Sequence, residues 1–577
     1  MTYKFYNVLL IIIAIFISLT LNQDRIIRPF YNDTYKHAVP ISSSRTTLGD
    51  TYHYYIAANQ SIKSGLIAKQ NVNTPNNVLL GSLAASGIIN FLCTHLIQTS
   101  DLSVLLSLIL QTFLLVLAIS YVIKNVGQFQ INSIFEIGFW TITTLVLSEF
   151  FLLNSFIGTF QYRPLLSFFP NILRPVNPQM GWSFGLLYFS LLFTFTSNKS
   201  FLQFICLSIL SFLFFFFSPS LGLTMLLAML LIGLVDLIKN RAINYYYLIF
   251  GVLLFLSFML NYLELSYFQS SLKGAELGTG VMKGVVFKPH YFIFLLLVFP
   301  IIKYYQGSQL IIIISILISS IFIGAFCESI NLGSRLWIRG AGVFVWIIFI
   351  ANLSIFFRNF KFSNSIFAVG TIIISACSFF LLPHQFDNDY SYIKTDKWIL
   401  LDWINKNVPA DSIIMSDDLE FSFLLPIYTS TIPFVPLFSE SDLSVKETVQ
   451  KYFYTLEQYD LKDIIYDTLK NFNAKKNNDN IQLVFSGKQL PDKDYILSVF
   501  YDYIIYYPYT KFSIDAFKSK DQTNKFMATL NQWSNEKYMG EKRVDYMIVA
   551  VNQNPKLEPN SKIVFNSNNY ILYSSMK

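Results

Sequence analysis

The chain has 577 residues, 53% of them hydrophobic and only 13% charged. A soluble domain carries about 25% charged residues, so most of this chain is not built for water, and its mean hydropathy is +0.47. The net charge of +7 is spread over loops. No basic stripe on a soluble module appears, which argues against nucleic-acid binding and leaves membrane topology as the explanation.

Apolar runs of about 17 to 25 residues, the length of a membrane-crossing helix, recur from Tyr3 to Leu382. The first, "YKFYNVLLIIIAIFISLTL", ends in Asn22-Gln23-Asp24, which is not a small-residue cleavage site, so it reads as a retained helix. A polar loop, 22–77, follows. Further apolar segments are expected at Val78–Leu96, Leu102–Lys124, Ile131–Glu149, Gly181–Ser197, Phe201–Phe217, Leu221–Ile238, Asn244–Tyr262, Pro289–Tyr305, Gln309–Cys327, Arg335–Phe357 and Ser363–Leu382. The four cysteines (Cys93, Cys206, Cys327, Cys377) fall in apolar segments without CxxC spacing, as packing residues do.

Cations mark every second short loop: Lys199, Lys239 with Arg241, Lys303, and Arg358 with Lys361. The positive-inside tendency makes these loops cytoplasmic. Lys4 keeps the N-terminus inside, and loop 22–77 and the C-terminal region then lie outside. Lys124 reads as inside too, which requires one segment between residues 78 and 158 not to cross. The candidate is "VLLGSLAASGIINFLCTHL", rich in small and polar residues and suited to a buried partial helix. The alternative is a pair of short helices within Ile131–Phe160. The expected fold is an α-helical polytopic membrane protein with about 11–13 crossings over residues 1–382. An extracytoplasmic α/β domain follows at 383–577.

In that tail, "DKWILLDWINKN" reads as an amphipathic helix with Trp398, Leu401, Trp403 and Ile404 on one face. "DSIIMSDD" reads as a strand ending in acids, and "VDYMIVAV", "KIVFN" and "YILYS" as later strands. "FNAKKNNDN" reads as a turn or flexible insert. The acids of "SDDLE" look like a metal cluster but more simply cap a helix. "LKGAELGTGVMKG" lacks the strand–helix context of a phosphate loop and reads as a glycine-rich outer loop.

The stretch "LGDTYHYYIAANQSIKSG" opens an amphipathic helix near 50–64. Asp50 is placed as an N-cap or, with one oxygen free, as a general base. His53 and Tyr54 lie three and four positions on, hence on the same face; for the tyrosines, interfacial anchoring is the simpler role. "TFQYRPLLSFFPNILRPVNPQ" places Arg163 and Arg174 in an outer loop, where they can grip phosphate or anionic lipid. Arg335 and Arg339 in "NLGSRLWIRGAG" share a helix face. Snorkelling accounts for Arg335, while Arg339 sits deeper, where an ionisable residue points to function. Glu149 is a second acid near the outer side. Glu136, Glu264 and Glu328 carry no assigned role, and Asp236 beside Lys239 reads as structural. With five scattered histidines, a multi-histidine metal site is not expected.

One N-terminal helix, an outer loop with D-x-x-x-Y-Y (Asp50, Tyr54, Tyr55), many helices and a tail opening "WILLDWINKNVPADSIIMSDD" together resemble the GT-C superfamily of membrane glycosyltransferases. The resemblance implies transfer of a sugar from a polyprenyl-phosphate carrier to a glycan, lipid or protein acceptor on the outer face. In a bacterium this places the chain in the inner membrane. Asp50 matches the first-loop acid, the implied base or metal-site acid. Arg339, with Arg335, matches late-helix arginines that hold the carrier phosphate. Arg163 and Arg174 match a second loop lining the same cleft. The metal-dependent branch's second D-x-D motif is absent from 150–180, as is W-W-D-Y-G from the tail. The resemblance therefore points to a metal-independent, monosaccharide-transferring type without a cofactor, with divalent metal left open. The competing readings are a transporter, flippase or ligase of lipid-linked glycans, and a non-enzymatic envelope-assembly protein.

Overall fold

The computed structural model describes residues 3–21, 35–38, 95–97, 100–129, 134–145, 179–197, 199–242, 244–271, 289–326, 340–358, 364–381, 392–418, 421–436, 445–461, 528, 531–536, 538–540, 542–551 and 553–575. The described chain is mostly helical, with a small C-terminal sheet.

The bundle comprises α1 (Tyr3–Leu21), α2 (Ser100–Val126), α3 (Ile134–Leu145), α4 (Gln179–Phe195), α5 (Phe201–Phe217), α6 (Pro219–Asn240) and α7 (Tyr245–Ser271). A 3₁₀ stretch (Pro289–Leu297) runs into α8 (Val298–Tyr304), followed by α9 (Gly307–Phe326), α10 (Gly342–Arg358) and α11 (Asn364–Leu381). Among the described residues, four helical spans are long and apolar enough to cross a membrane: Leu105–Val126, Leu221–Asn240, Tyr245–Leu263 and Gly307–Phe326. Shorter apolar helices include Ile134–Leu145, Gly181–Phe195, Phe201–Phe217, Tyr291–Tyr304 and Gly342–Arg358.

Helix limits follow local chemistry. Ser200 caps α5 through Gln203 N, and Ser218 both ends α5 and caps α6 ahead of Pro219. Proline at a first helical position costs no hydrogen bond. The expected Asn244–Tyr262 segment is corrected to Tyr245–Ser271, because "LELSYFQSS" continues the helix with no breaker. The segment expected as a helix from Pro289 is 3₁₀ for nine residues. The segment expected from Arg335 has its helix proper from Gly342. The partial crossing expected at 78–96 lies almost wholly outside the described residues, as do the "LKGAELGTGVMKG" loop and "FNAKKNNDN".

Large aromatics pack the bundle. Trp182, Tyr188, Phe189 and Phe193 of α4 are fully or nearly fully buried, as are Tyr291 and Tyr305. The Phe189 ring meets Phe344 of α10 edge-on at 5.8 Å. Leu230, Ile238, Ile293, Leu296 and Phe299 stay exposed, the pattern of a surface that faces an apolar solvent.

The tail holds β2 (Tyr392–Lys394), α12 (Thr395–Asn407), β3 (Ile413–Ser416), α13 (Phe421–Tyr428), β4 (Ile432–Pro433), α14 (Val445–Gln458), β5 (Tyr546–Ala550), β6 (Lys562–Asn566) and β7 (Tyr570–Ser574). Its sheet has the order β4-β3-β5-β7-β6, with β4, β3 and β5 parallel and β7 and β6 antiparallel. The strands expected from "DSIIMSDD", "VDYMIVAV", "KIVFN" and "YILYS" are all present. The buried face of α12 is Lys397, Leu400, Leu401 and Ile404, a helical i, i+3, i+4, i+7 stripe. Trp398 and Trp403, expected on that face, are half-buried at its margins. The remaining strand, β1 (Tyr35–Ala38), pairs antiparallel with β2, so part of loop 22–77 is joined to the start of the tail.

Candidate functional site

Asp50, His53, Tyr54, Glu149, Arg163, Arg174, Arg335 and Arg339 all lie outside the described residues. The helix ends that carry their segments are described, and these ends sort into two sets.

One end of the bundle is fastened by polar contacts. The Tyr305 hydroxyl donates to Val126 O at 2.8 Å, and Gln128 Nε2 to Tyr304 O at 3.3 Å. Arg358 donates to Gln128 O at 3.0 Å and to Gly127 O at 2.7 Å. Its guanidinium lies 4.0 Å from the Phe129 ring centroid and 3.9 Å from Glu136 Oε1. The fork thus satisfies carbonyls at the C-terminus of α2, where a cation is favoured. It also joins α10 to the start of α3. Gln128 turns the chain there at φ +54°, the left-handed conformation that commonly ends a helix.

Asn125 donates to Ser190 Oγ at 2.7 Å, which brings in α4. Phe195 of α4 meets Tyr246 of α7 at 5.2 Å, and Lys199 Nζ lies 5.7 Å over the same Tyr246 ring. Asp236 of α6 accepts the Asn244 N–H at 3.4 Å ahead of α7. Lys124, Lys199, Lys239, Arg241, Lys303 and Arg358 therefore belong to one end of the bundle.

At the other end lie the C-termini of α1, α3, α7, α9 and α11 and the N-termini of α2, α4, the 3₁₀ stretch and α10. Trp346 Nε1 donates to Thr144 O at 2.9 Å. This bond holds the end of α3, before Glu149, against the start of α10, after Arg339. Ser18 Oγ donates to Ile109 O at 2.7 Å between α1 and α2, which flank the segment carrying Asp50. Gly181, at the start of α4 after Arg174, packs on the α5–α6 corner. A Cβ there would sit 2.8 Å from Ser218 Cβ. The described helix ends that flank 22–99, 146–178 and 327–339, the stretches holding the sequence-named site residues, are all at this second end.

The tail contains a polar cluster where the carboxyl ends of β3 and β5 adjoin. The chain leaves β3 toward β4 on one side and leaves β5 toward β6 and β7 on the other. In open α/β sheets this is where ligands settle. Gln553 Nε2 donates to Asp417 Oδ2 at 2.7 Å, and Gln553 Oε1 accepts from Ala550 N at 3.1 Å. Lys397, buried on α12, pairs with Asp418 at 2.6 Å and lies 5.2 Å over the Phe421 ring. Asp418 O accepts the Phe421 N–H at 3.0 Å, which starts α13.

Burial pushes the Asp417 carboxyl up to about 6, against the Gln553 hydrogen bond, and the neighbouring Asp418 pushes it the same way. Burial also raises the phenols of Tyr452 of α14 and of Tyr459 just past its end, with the Asp417 charge adding to it. The Tyr459 hydroxyl is bound to Met415 O and Ile548 O at 3.2 and 2.6 Å. Among the described residues no group of three His, Cys, Asp or Glu side chains could hold a metal ion. The acids of "SDDLE" that are described, Asp417 and Asp418, take Gln553 and Lys397 instead. Lys397 and Gln553 carry no short-range sequence signal, because each meets its acid only through the sheet.

No known protein family matches the chain, and no curated protein matches it.

Proposed function

We propose that the chain is a polytopic membrane glycosyltransferase of GT-C type, with its site at the bundle end opposite the cation-rich one. One observation carries the reading. The described helix ends on either side of the stretches holding Asp50, Glu149, Arg163, Arg174, Arg335 and Arg339, and the end of α11 ahead of the tail, are all at that end, which supports the reading. The positive-inside tendency makes the cation-rich end cytoplasmic, so the site end is extracytoplasmic.

The chemistry matches these residue types. A sugar leaving a polyprenyl phosphate breaks its anomeric C–O bond and leaves both electrons on the phosphate. Arginines stabilise that charge where it develops. The acceptor hydroxyl loses its proton as its oxygen bonds to the anomeric carbon, and Asp50 takes that proton. The carrier chain lies along the apolar outer surface of the helices, in the lipid.

Asp50→Asn abolishes sugar transfer in membrane vesicles while the protein level is unchanged. Arg339→Ala weakens binding of the polyprenyl-phosphate donor. Full transfer by the Asp50 variant sinks the catalytic assignment. Translocation of a lipid-linked glycan by that variant, without transfer, favours a transporter.

A further inference from the structure

The start of α3 and the end of α10 bring together buried polar atoms that the bundle leaves without partners. Glu136, Trp140 and Thr143 of α3 follow the i, i+4, i+7 spacing of one helix face. They are 6%, 4% and 8% exposed. Glu136 Oε1, Trp140 Nε1 and Thr143 Oγ1 have no hydrogen-bond partner among the described residues, and neither does Arg358 Nε of α10. Two contacts set this face against α10. Glu136 Oε1 lies 3.9 Å from Arg358 Nε, and the Trp140 ring lies 5.8 Å from that of Phe357. Long side chains on a helix lean toward the turn before them, which directs the Trp140 indole to the turn of Glu136.

Buried polar atoms without partners are rare and costly, so four at one seam argue against a dry interface. At 3.9 Å the acid and the guanidinium are too far apart for a direct hydrogen bond, and at a spacing that one bridging oxygen spans. The atoms are complementary to such an oxygen: Arg358 Nε and Trp140 Nε1 each donate a hydrogen, and Glu136 Oε1 accepts one. Arg358 is kept from closing the gap because its other nitrogens donate to Gln128 O at 3.0 Å and Gly127 O at 2.7 Å. Its side chain is 37% exposed, against 8% for Glu136, so the seam opens to the cation-rich end along the guanidinium.

We propose that this seam is a binding site for water. One molecule accepts from Arg358 Nε and Trp140 Nε1 and donates to Glu136 Oε1, about three bonds being usual for a buried water. It joins α10 to α3 through solvent and keeps the acid hydrated inside the bundle. Thr143 extends the wettable face one turn deeper. None of this depends on the chemistry at the opposite end.

Trp346 is the internal control, since its Nε1 donates to Thr144 O at 2.9 Å across the same two helices. Water-edited solid-state NMR of the full chain in lipid bilayers, labelled with ¹⁵N-tryptophan, reads both indoles, and Trp140→Phe and Trp346→Phe assign them. Polarisation transfer from water is expected to build up about fivefold faster at the Trp140 indole than at that of Trp346, as contact with a bound water requires. Exposure alone predicts the reverse order, since Trp346 is 8% exposed and Trp140 4%. Equal build-up, or the reverse order, overturns the site. Glu136→Gln keeps an oxygen acceptor and is expected to keep Trp140 wet. Glu136→Leu is expected to bring Trp140 down to the Trp346 rate, with the Trp346 resonance unmoved because α3 and α10 still pack. A wet Trp140 in Glu136→Leu overturns the role of Glu136. If the Trp346 resonance moves in Glu136→Leu, the seam has opened, and the comparison of the two indoles in the parent chain decides alone.

Discussion

Asp417 sits at the end of β3 with a carboxyl that burial holds at about 6. An unfolded aspartate titrates near 4, so the native state binds a proton more tightly than the unfolded chain. The stabilisation is full below about pH 4 and is lost as pH rises through 6. At pH 7.5 the ionised carboxylate costs the tail at most about 3 kcal/mol. Asp418 beside it is matched by Lys397, while the buried phenols of Tyr452 of α14 and Tyr459 just past it feel the Asp417 charge. Asp417→Asn keeps an acceptor for Gln553 and removes the charge. It is expected to stabilise the tail by about 1–2 kcal/mol at pH 7.5 and by almost nothing at pH 4. Hydrogen exchange of peptides spanning 413–418 and 546–553 in the full-length protein reads this directly. Equal pH dependence in the variant and the parent sinks the assignment. The sequence marks Asp417 and Asp418 as a pair of acids but gives no sign of their partners. Lys397 lies 21 residues from Asp418, and Gln553 lies 136 from Asp417, distances over which no local pattern operates.

At the scale of elements, legibility follows the range of the forces involved. Phe201–Phe217 is read to the residue because Ser200, Ser218 and Pro219 are local punctuation. The α12 face is misread at Trp403 because a large aromatic looks like core, whereas the geometry buries Leu400 and the shaft of Lys397. β1 carries no pattern in four residues, and its partner lies hundreds of positions away. The 3₁₀ stretch is hidden as well, since an apolar run reads alike in either helix. Its rise of about 2.0 Å per residue lets the segment to Tyr304 span about 28 Å, close to the hydrocarbon thickness; an α-helix of that length reaches about 24 Å. The α4–α6 contact gives a prediction at this scale. A Cβ at Gly181 meets Ser218 Cβ at 2.8 Å and Phe217 O at 3.2 Å, atoms that cannot swing away. Gly181→Val is expected to cost about 1–3 kcal/mol and to lower transfer, because α4 begins directly after the Arg163 and Arg174 segment. Gly251→Ala, whose Cβ finds Met229 Cβ at 3.8 Å, is the neutral control. Comparable melting temperatures for the two variants in detergent would show that close approach at Gly181 carries no energy.

For the whole molecule, the testable quantity is sidedness. Arg241 and Ala242 are exposed at the cation-rich end between α6 and α7. From there the chain passes through α7, the 3₁₀ stretch with α8, α9, α10 and α11 before it reaches the tail. If each of these crosses the bilayer, an odd number of passages separates Ala242 from the tail, and the two lie on opposite sides. The cation-rich end prefers the cytoplasm by about the strength of several lysines and arginines in short loops. The β1–β2 ribbon adds an independent constraint: Tyr35–Ala38 pairs with Tyr392–Lys394, so in the proposed topology these two strands must share a side, which requires α1 to cross. Single cysteines on a cysteine-free background separate the alternatives. Asn554→Cys, exposed beyond β5, is expected to react with a membrane-impermeant maleimide in intact cells. Ala242→Cys is expected to react only after permeabilisation. If Asn554→Cys is shielded in intact cells, the tail is cytoplasmic, β1 is with it, and the proposed outward-facing site is excluded. Both the topology and the glycosyl-transfer reading would then fall together.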